Sequence, residues 1–255
     1  MKLSIITVSF NACPHVAGAI ESVLGQRGVD VEYIVIDGGS TDGTVDEVAR
    51  FGDRIDFFVS EPDDGLYDAM NKGLERASGE VVGFLNADDV YEDDRVLARV
   101  AERLDETGAE CLYGDLVYTR RDDLEAVVRY WRSGAYWHGR FRWGWMPPHP
   151  AFFARRELYE RYGDFRTELA YSADYELMFR FLHHHRAAVA YLPEILVRMR
   201  RGGHSGRSIK GRIRANLEVL EAWRLNGYDP KWYTAVLKPL SKVGQWVRSL
   251  ESARL

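Results

Sequence analysis

Cysteine is nearly absent: only Cys13 and Cys111 occur in 255 residues. They lie far apart and form no C-x-x-C pair, which excludes a zinc ribbon or a disulfide framework and fits a reducing compartment. No stretch reaches the ~18 apolar residues that a bilayer span requires. Met1–Asn11 carries one lysine and then a short apolar run that alternates into polar residues. It lacks the length of a signal-peptide core and a small-residue cleavage site, and reads as a first strand. Excess positive charge is also missing. A net charge of −5 excludes a globally basic nucleic-acid binder, so no nucleic-acid partner is expected. There is no internal repeat and no low-complexity segment. The expected location is the cytoplasm, either free or at the inner face of the cell membrane.

What is present supports a large core, since 46% of the residues are hydrophobic. Charge is uneven along the chain. The last 49 residues hold 10 Lys and Arg against 4 Asp and Glu, whereas the first 206 hold 24 against 35. The first half alternates strand and helix signals. Leu3–Ser9, Val31–Ile36, Asp56–Ser60 and Val81–Leu85 read as strands. His15–Gln26, a helix through Val45 and Val48 capped by Ser40 or Thr41, Gly65–Ala77 and Asp93–Leu104 read as helices. This order predicts an α/β fold with a mainly parallel sheet flanked by helices, and ligands in such sheets sit beyond the carboxyl ends of the strands. Past residue 110, Leu112–Tyr118, Glu125–Trp131 and Ala187–Arg200 read as strands, and Arg155–Tyr162 and Asp174–His185 as helices. Tyr136–Pro150 is aromatic, Pro-rich and without period, suited to lining an acceptor groove. A glycine-rich hinge at Gly202–Gly206 precedes helices at Ile209–Asn226 and from Pro230 to about Leu250, the latter with a break near Pro239.

The acidic residues fall where this architecture expects a site. Asp37 ends the second strand, and Asn86-Ala87-Asp88-Asp89 follows the fourth, buried one. Read with Asp174, they suggest an enzyme that holds a nucleotide diphosphate through a metal ion. Carboxylates alone repel a diphosphate, and a divalent cation between them converts repulsion into binding. Oxygen-rich ligands suit Mg²⁺ or Mn²⁺.

Five segments recur in the order and spacing of family 2 glycosyltransferases: Thr7–Asn11, Ile36–Thr44, Asp68–Gly73, Phe84–Asp89 and Ala173–Leu177. Over residues 1–205 the chain resembles an inverting enzyme of that family, of the kind that builds bacterial surface polysaccharides. The resemblance implies a GT-A fold, with a nucleotide-binding half at 1–109, an acceptor-binding half at 110–205 and a basic, aromatic-rich helical tail at 206–255. It also implies a nucleotide-sugar donor, UDP favoured, and a carbohydrate or lipid-linked acceptor. Asp37 would accept a hydrogen bond from the base, as an acceptor-only carboxylate can; it can equally close its own turn. Position 38, where many relatives carry a second acid, is glycine. Thr7, Ser9 and Asn11 either contact base or ribose or form a polar strand end. Asp63 and Asp64 suit a helix N-terminus. Asp68 and Asn71 share a helix face that in relatives touches ribose or donor sugar, and Tyr67 would stack or bond there.

Asp88 is the expected metal ligand. Asp89 either ligates through water or holds the turn, and Asn86 and Ala87 contact the donor. Asp174 would be the base that takes the acceptor proton, with direct displacement and inversion. His149 would meet the acceptor or a phosphate, and His204 the metal or diphosphate, each set against a structural role. His183–His185 reads as a solvated helix end. At least one of Arg198, Arg200, Arg201 and Arg207 would pair with phosphate. Trp223, Trp232, Tyr233 and Trp246, among Lys231, Lys238 and Lys242, suit packing on the body or on a second subunit, or contact with an anionic membrane. The competing classes are a nucleotidyltransferase, disfavoured because no Gly-rich basic loop follows Thr7–Asn11, and a non-catalytic sugar- or nucleotide-binding module.

Overall fold

Strand β1 (Lys2–Ser9) is buried from Leu3 onward, as a strand covered on both faces must be. In the computed structural model, which describes residues 1–202 and 209–230, β1 is an interior strand of a nine-stranded sheet. It pairs in parallel with β2 (Asp30–Asp37) on one side and β4 (Val81–Phe84) on the other, and β2 pairs in parallel with β3 (Phe57–Ser60). Helices α1 (Val16–Leu24), α2 (Thr44–Ala49) and α3 (Leu66–Arg76) make the crossovers that parallel pairing demands. Gly73 lets α3 lie close on the sheet, because a Cβ there would meet Ile6 Cγ2 at 2.5 Å.

Beyond β4 the sheet becomes mixed. β8 (Phe152–Arg155) runs antiparallel to both β4 and β6 (Cys111–Thr119), and β6 runs parallel to β9 (Val189–Arg200). The far edge of β9 carries the two-residue β5 (Val90–Tyr91), and β7 (Val127–Trp131) forms a hairpin with β6. More paired positions are parallel than antiparallel across the whole sheet. Helices α4 (Val96–Thr107), α5 (Arg156–Tyr162), α6 (Ala173–Phe179) and α7 (Ile209–Leu225) complete the layers.

Several expectations are corrected here. Neither Ser40 nor Thr41 caps α2: Gly43 stands at the cap, and the Thr44 amide donates to Asp42 Oδ1 at 3.1 Å. α4 begins at Val96 rather than Asp93, whose carboxylate accepts from the Arg95 amide. The helix expected over Asp174–His185 passes into a π turn at Arg180–His184. His183 is not solvated but buried against Phe179 and Trp223, with ring centroids 4.8 and 5.4 Å away. Tyr136–Pro150 contains short 3₁₀ turns and no longer helix.

Within the tail, α7 packs on α6. Trp223 Nε1 donates to Tyr175 Oη (3.0 Å), Asn226 Nδ2 to Glu176 (2.8 Å) and Ser172 Oγ to the Ala215 carbonyl (2.9 Å). Trp232, Tyr233 and Trp246 and their neighbouring lysines lie outside the described residues. No helix among the described residues is long and apolar enough to cross a membrane.

Candidate active site

The register of the parallel strands gathers the first group of residues. Ser9 lies beside Asp37, and Asp37 beside Ser60, so three strand ends point the same way at one level. Asp37 is fully buried. Its Oδ1 accepts from Ser9 Oγ (2.8 Å) and Ser40 Oγ (2.5 Å), and its Oδ2 from Ser60 Oγ (2.7 Å) and the Ser40 and Gly39 amides (2.8 and 3.1 Å). Burial pushes the carboxyl up, but these bonds outweigh it and leave Asp37 below its usual value. Five donors saturate the roughly four acceptor sites of a carboxylate. Thr7 is buried and accepts from Tyr33 Oη at 3.0 Å, inside the core rather than at the rim. Asn11 is exposed, in the left-handed conformation (φ 49°) that asparagine tolerates, and accepts from the Thr41 amide at 3.0 Å. The place of a side chain at position 38 is taken by another acid: a Cβ on Gly38 would collide with the Asp63 carboxylate, which also accepts from the Gly65 amide at 2.9 Å.

The second group follows β4. The Asp89 amide donates to the Asn86 carbonyl (3.0 Å), closing a turn that separates two adjacent acids. Asp89 is fully buried and accepts from Asn86 Nδ2 (2.8 Å) and the Arg200 amide (3.2 Å). Burial and the charge of Asp88 hold its carboxyl well above the usual range. Ala87 is buried beneath the turn. Asp88 keeps 27% side-chain exposure and faces Arg121 Nη1 at 3.9 Å.

No group of three or more His, Cys, Asp or Glu side chains among the described residues is arranged to hold a metal alone. One open carboxylate backed by a buried one instead fits a hard cation that draws its remaining oxygens from water and substrate phosphate. Of the candidate phosphate-pairing arginines, Arg198 is taken by Glu92 (2.8 and 2.9 Å) and Glu125 (3.3 Å). Arg200 donates from Nη1 to the Arg121 carbonyl at 3.2 Å. His204 and Arg207 lie outside the described residues.

The third group joins the two halves of the chain. Asp174, in the first turn of α6, accepts on Oδ1 from Tyr67 Oη (3.1 Å) and the Tyr175 amide (2.8 Å). Tyr67 is buried and stacks on Phe165 with centroids 5.6 Å apart; burial, then the charge of Asp174, raises its phenol well above the ordinary value. Asn71 holds the Phe165 backbone at both ends, Nδ2 donating to its carbonyl (2.9 Å) and Oδ1 accepting from its amide (3.0 Å). Asp68 accepts from the Asp64 amide at 3.1 Å and pairs with Lys72 at 3.4 Å. His149 is buried, stacked on Phe84 (5.4 Å) and edge-on to Phe165 (5.6 Å). Burial lowers its pKa, partly offset by the Asp174 charge, so the ring is neutral at pH 7.

Tyr67 facing Asp174 and Arg121 facing Asp88 are side-chain meetings across long stretches of chain, and the Asp63 carboxylate closes on the Gly38 backbone in the same way. Sequence reasoning set Tyr67 beside the donor and Asp63 at a helix start, and gave Arg121 no role.

The sequence profile described as Glycosyl transferase family 2 matches residues 4–164. A PGL/p-HBAD biosynthesis glycosyltransferase of Mycobacterium bovis is 33% identical over 183 residues, 69% of this chain and 68% of that protein. Among solved structures, the mannosyltransferase PcManGT from Pyrobaculum calidifontis in complex with GDP-Man and Mn²⁺ superposes with a TM-score of 0.65 at 20% identity, covering 94% of this chain and 69% of that one. S. aureus TarS 1–349 in complex with UDP-GlcNAc gives 0.63 at 16% identity, covering 98% and 80%. Of the longer TarS chain, this protein spans 40%. The fold is that of the GT-A glycosyltransferases.

Proposed function

The chain belongs to glycosyl transferase family 2, and from that membership we propose that it transfers a sugar from a nucleotide-diphosphate donor, a UDP-sugar, to an acceptor hydroxyl with inversion. The observation that carries this reading is the pair of unlike acids at the end of β4. Asp88 is open and Asp89 is closed behind it, which suits a shared cation–diphosphate site. Asp88 would hold Mn²⁺ or Mg²⁺, which when bound offsets charge on the leaving diphosphate. The base would lie among Ser9, Asp37, Ser40 and Asn11, with an N–H of the base replacing one of the rotatable serine hydroxyls on Asp37. Asp68 would approach the ribose or sugar. Asn71 would act by fixing Phe165 beneath Tyr67.

Asp174 takes the proton of the acceptor hydroxyl as that oxygen bonds to the anomeric carbon and the bond to the diphosphate breaks on the opposite face. No covalent enzyme intermediate is needed. Tyr67 and the Tyr175 amide occupy one oxygen of Asp174, leaving the other for the proton. The neutral ring of His149 packs beside this centre as an apolar wall. The likeness to a PGL/p-HBAD biosynthesis enzyme supports a role in assembling a surface glycan or glycolipid, with a carbohydrate or lipid-linked acceptor.

Calorimetric titration of UDP, GDP, dTDP and CDP, each with and without Mn²⁺, tests the donor reading. The expected result is Mn²⁺-dependent binding of UDP. Preference for another nucleotide overturns the base assignment, and binding of none overturns the donor reading itself.

A further inference from the structure

The cation that meets Asp88 comes from outside every motif that the sequence offered. Arg121 lies in the turn between β6 and β7, and its Nη1 stands 3.9 Å from Asp88 Oδ2. Its main chain is anchored, since its carbonyl accepts from Arg200 Nη1 at 3.2 Å and the Arg200 amide is itself held by Asp89. Among the described residues, its side chain is not anchored in that way. It is 48% exposed and its ion pair with Asp88 is long, so the pair is weak and readily exchanged. Arg198 offers the contrast, with Nε and Nη2 bonded to Glu92 and Nη1 to the Leu124 carbonyl. Arg198 cannot be spared for a ligand, and Arg121 can.

With a nucleotide-diphosphate donor bound as proposed above, a reading on which the role of Arg121 rests, two like-charge conflicts meet at this point. A divalent cation arriving at Asp88 faces the guanidinium at close range. A diphosphate arriving without a cation faces the bare carboxylate. Both conflicts disappear if the guanidinium leaves Asp88 for a phosphate oxygen as the cation takes its place, and a guanidinium fork matches phosphate geometry well.

We infer that Arg121 is a donor-binding residue that exchanges partners, balancing the charge of Asp88 while the donor is absent and holding the diphosphate once donor and cation are bound. Asp88 is thereby protected from loading with a divalent cation before the donor arrives. The exchange moves no covalent bond and no proton.

Such an exchange has a signature of opposite signs. Removing the charge frees Asp88, so Mn²⁺ alone binds more tightly. It also strips the diphosphate of a partner, so nucleotide binds more weakly. A residue that merely supports the turn would weaken both. Arg121→Gln and Arg121→Lys in the full chain are compared with the unaltered protein by two readouts. Electron paramagnetic resonance of free Mn²⁺ gives metal affinity without nucleotide, and calorimetry gives UDP and GDP affinity at saturating Mn²⁺. For Arg121→Gln the expectation is an Mn²⁺ affinity raised about 5- to 10-fold and a diphosphate affinity lowered about tenfold, within the usual range of coupling between sites. Arg121→Lys, which keeps a point charge without the fork, falls between. Mn²⁺ affinity that is unchanged or reduced in Arg121→Gln overturns the exchange. An unaltered protein that binds neither nucleotide with Mn²⁺ overturns the donor reading beneath it, so the two failures are distinct.

Discussion

Asp88 and Asp89 are adjacent in sequence and opposite in environment. Asp89 supplies the acceptor for the Asn86 amide group and the Arg200 main chain, and tethers the β4 loop to the end of β9. Asp89→Ala strips two part-buried donors of their partner, at about 1 kcal/mol for each hydrogen bond lost. Asp88→Ala removes a partly exposed side chain and shifts stability by no more than about 0.5 kcal/mol. Thermal melting of the two variants beside nucleotide titration checks this: Asp89→Ala loses stability, whereas Asp88→Ala keeps it and loses the Mn²⁺ dependence of nucleotide binding. Position after a buried strand was enough to single out Asp88 in the sequence. Tyr67 was legible as a residue that stacks or bonds, but its partner Asp174 and the pairing of Arg121 with Asp88 were not, because each is a side chain meeting a partner dozens of residues away. Asp37 was legible as a strand-end acid. Its enclosure by Ser9, Ser40 and Ser60 comes from strand register, which one sequence does not reveal.

Among the elements, β1, β2 and the turn before β4 are joined by one carboxylate. Glu32 accepts from Ser4 Oγ (2.5 Å), the Ser78 amide (2.7 Å), Ser78 Oγ (2.5 Å) and Lys2 Nζ (3.0 Å). Burial alone would raise its pKa, yet these bonds bring it from 4.5 to about 2. A depressed folded value contributes stability above the unfolded pKa, and that contribution is lost as pH falls from about 4.5 toward 2. Its size is on the order of 3 kcal/mol at neutral pH. Glu32→Gln should therefore unfold at lower denaturant than the parent at pH 7, with the gap closing as pH approaches 2. A gap independent of pH contradicts the assignment. The long elements of this first half were readable from period, whereas the cap of α2 and the start of α4 were not. β5 and β8 were not, since two and four residues beside a turn or a proline give no usable period. The π turn was hidden for a different reason: Arg180 reaches the carbonyls of Tyr162, Gly163 and Asp164, a tertiary demand placed on a helical sequence.

At the scale of the molecule, the site depends on both halves of the sheet and on the helix that follows them. α3 reaches Asp174 through Tyr67, and α7 braces the turn that carries it: Glu218 accepts from the Tyr171 amide at 2.7 Å, and Ser172 bonds to Ala215. The tail from 209 to 230 is thus part of the body. Trp223, buried against Phe179 and bonded to Tyr175, is the principal anchor. Trp223→Ala should cost about 3–5 kcal/mol and lower the melting temperature by roughly 10 °C. An unchanged melting point would mean that α7 does not brace α6. The helix over Ile209–Asn226 was legible but not its partner, because an apolar stripe fits a body, a subunit or a membrane equally well; the helix expected from Pro230 lies outside the described residues.

The most direct test of the account is turnover by the Asp174→Asn variant. Release of nucleotide diphosphate from UDP-GlcNAc, UDP-glucose and GDP-mannose would be followed for the full chain and for this variant, with circular dichroism and nucleotide titration beside it. The account predicts that the variant folds and binds nucleotide with unchanged affinity while turnover falls about 10²- to 10⁴-fold, the usual worth of a positioned base. Turnover that survives in a folded Asp174→Asn protein would contradict it.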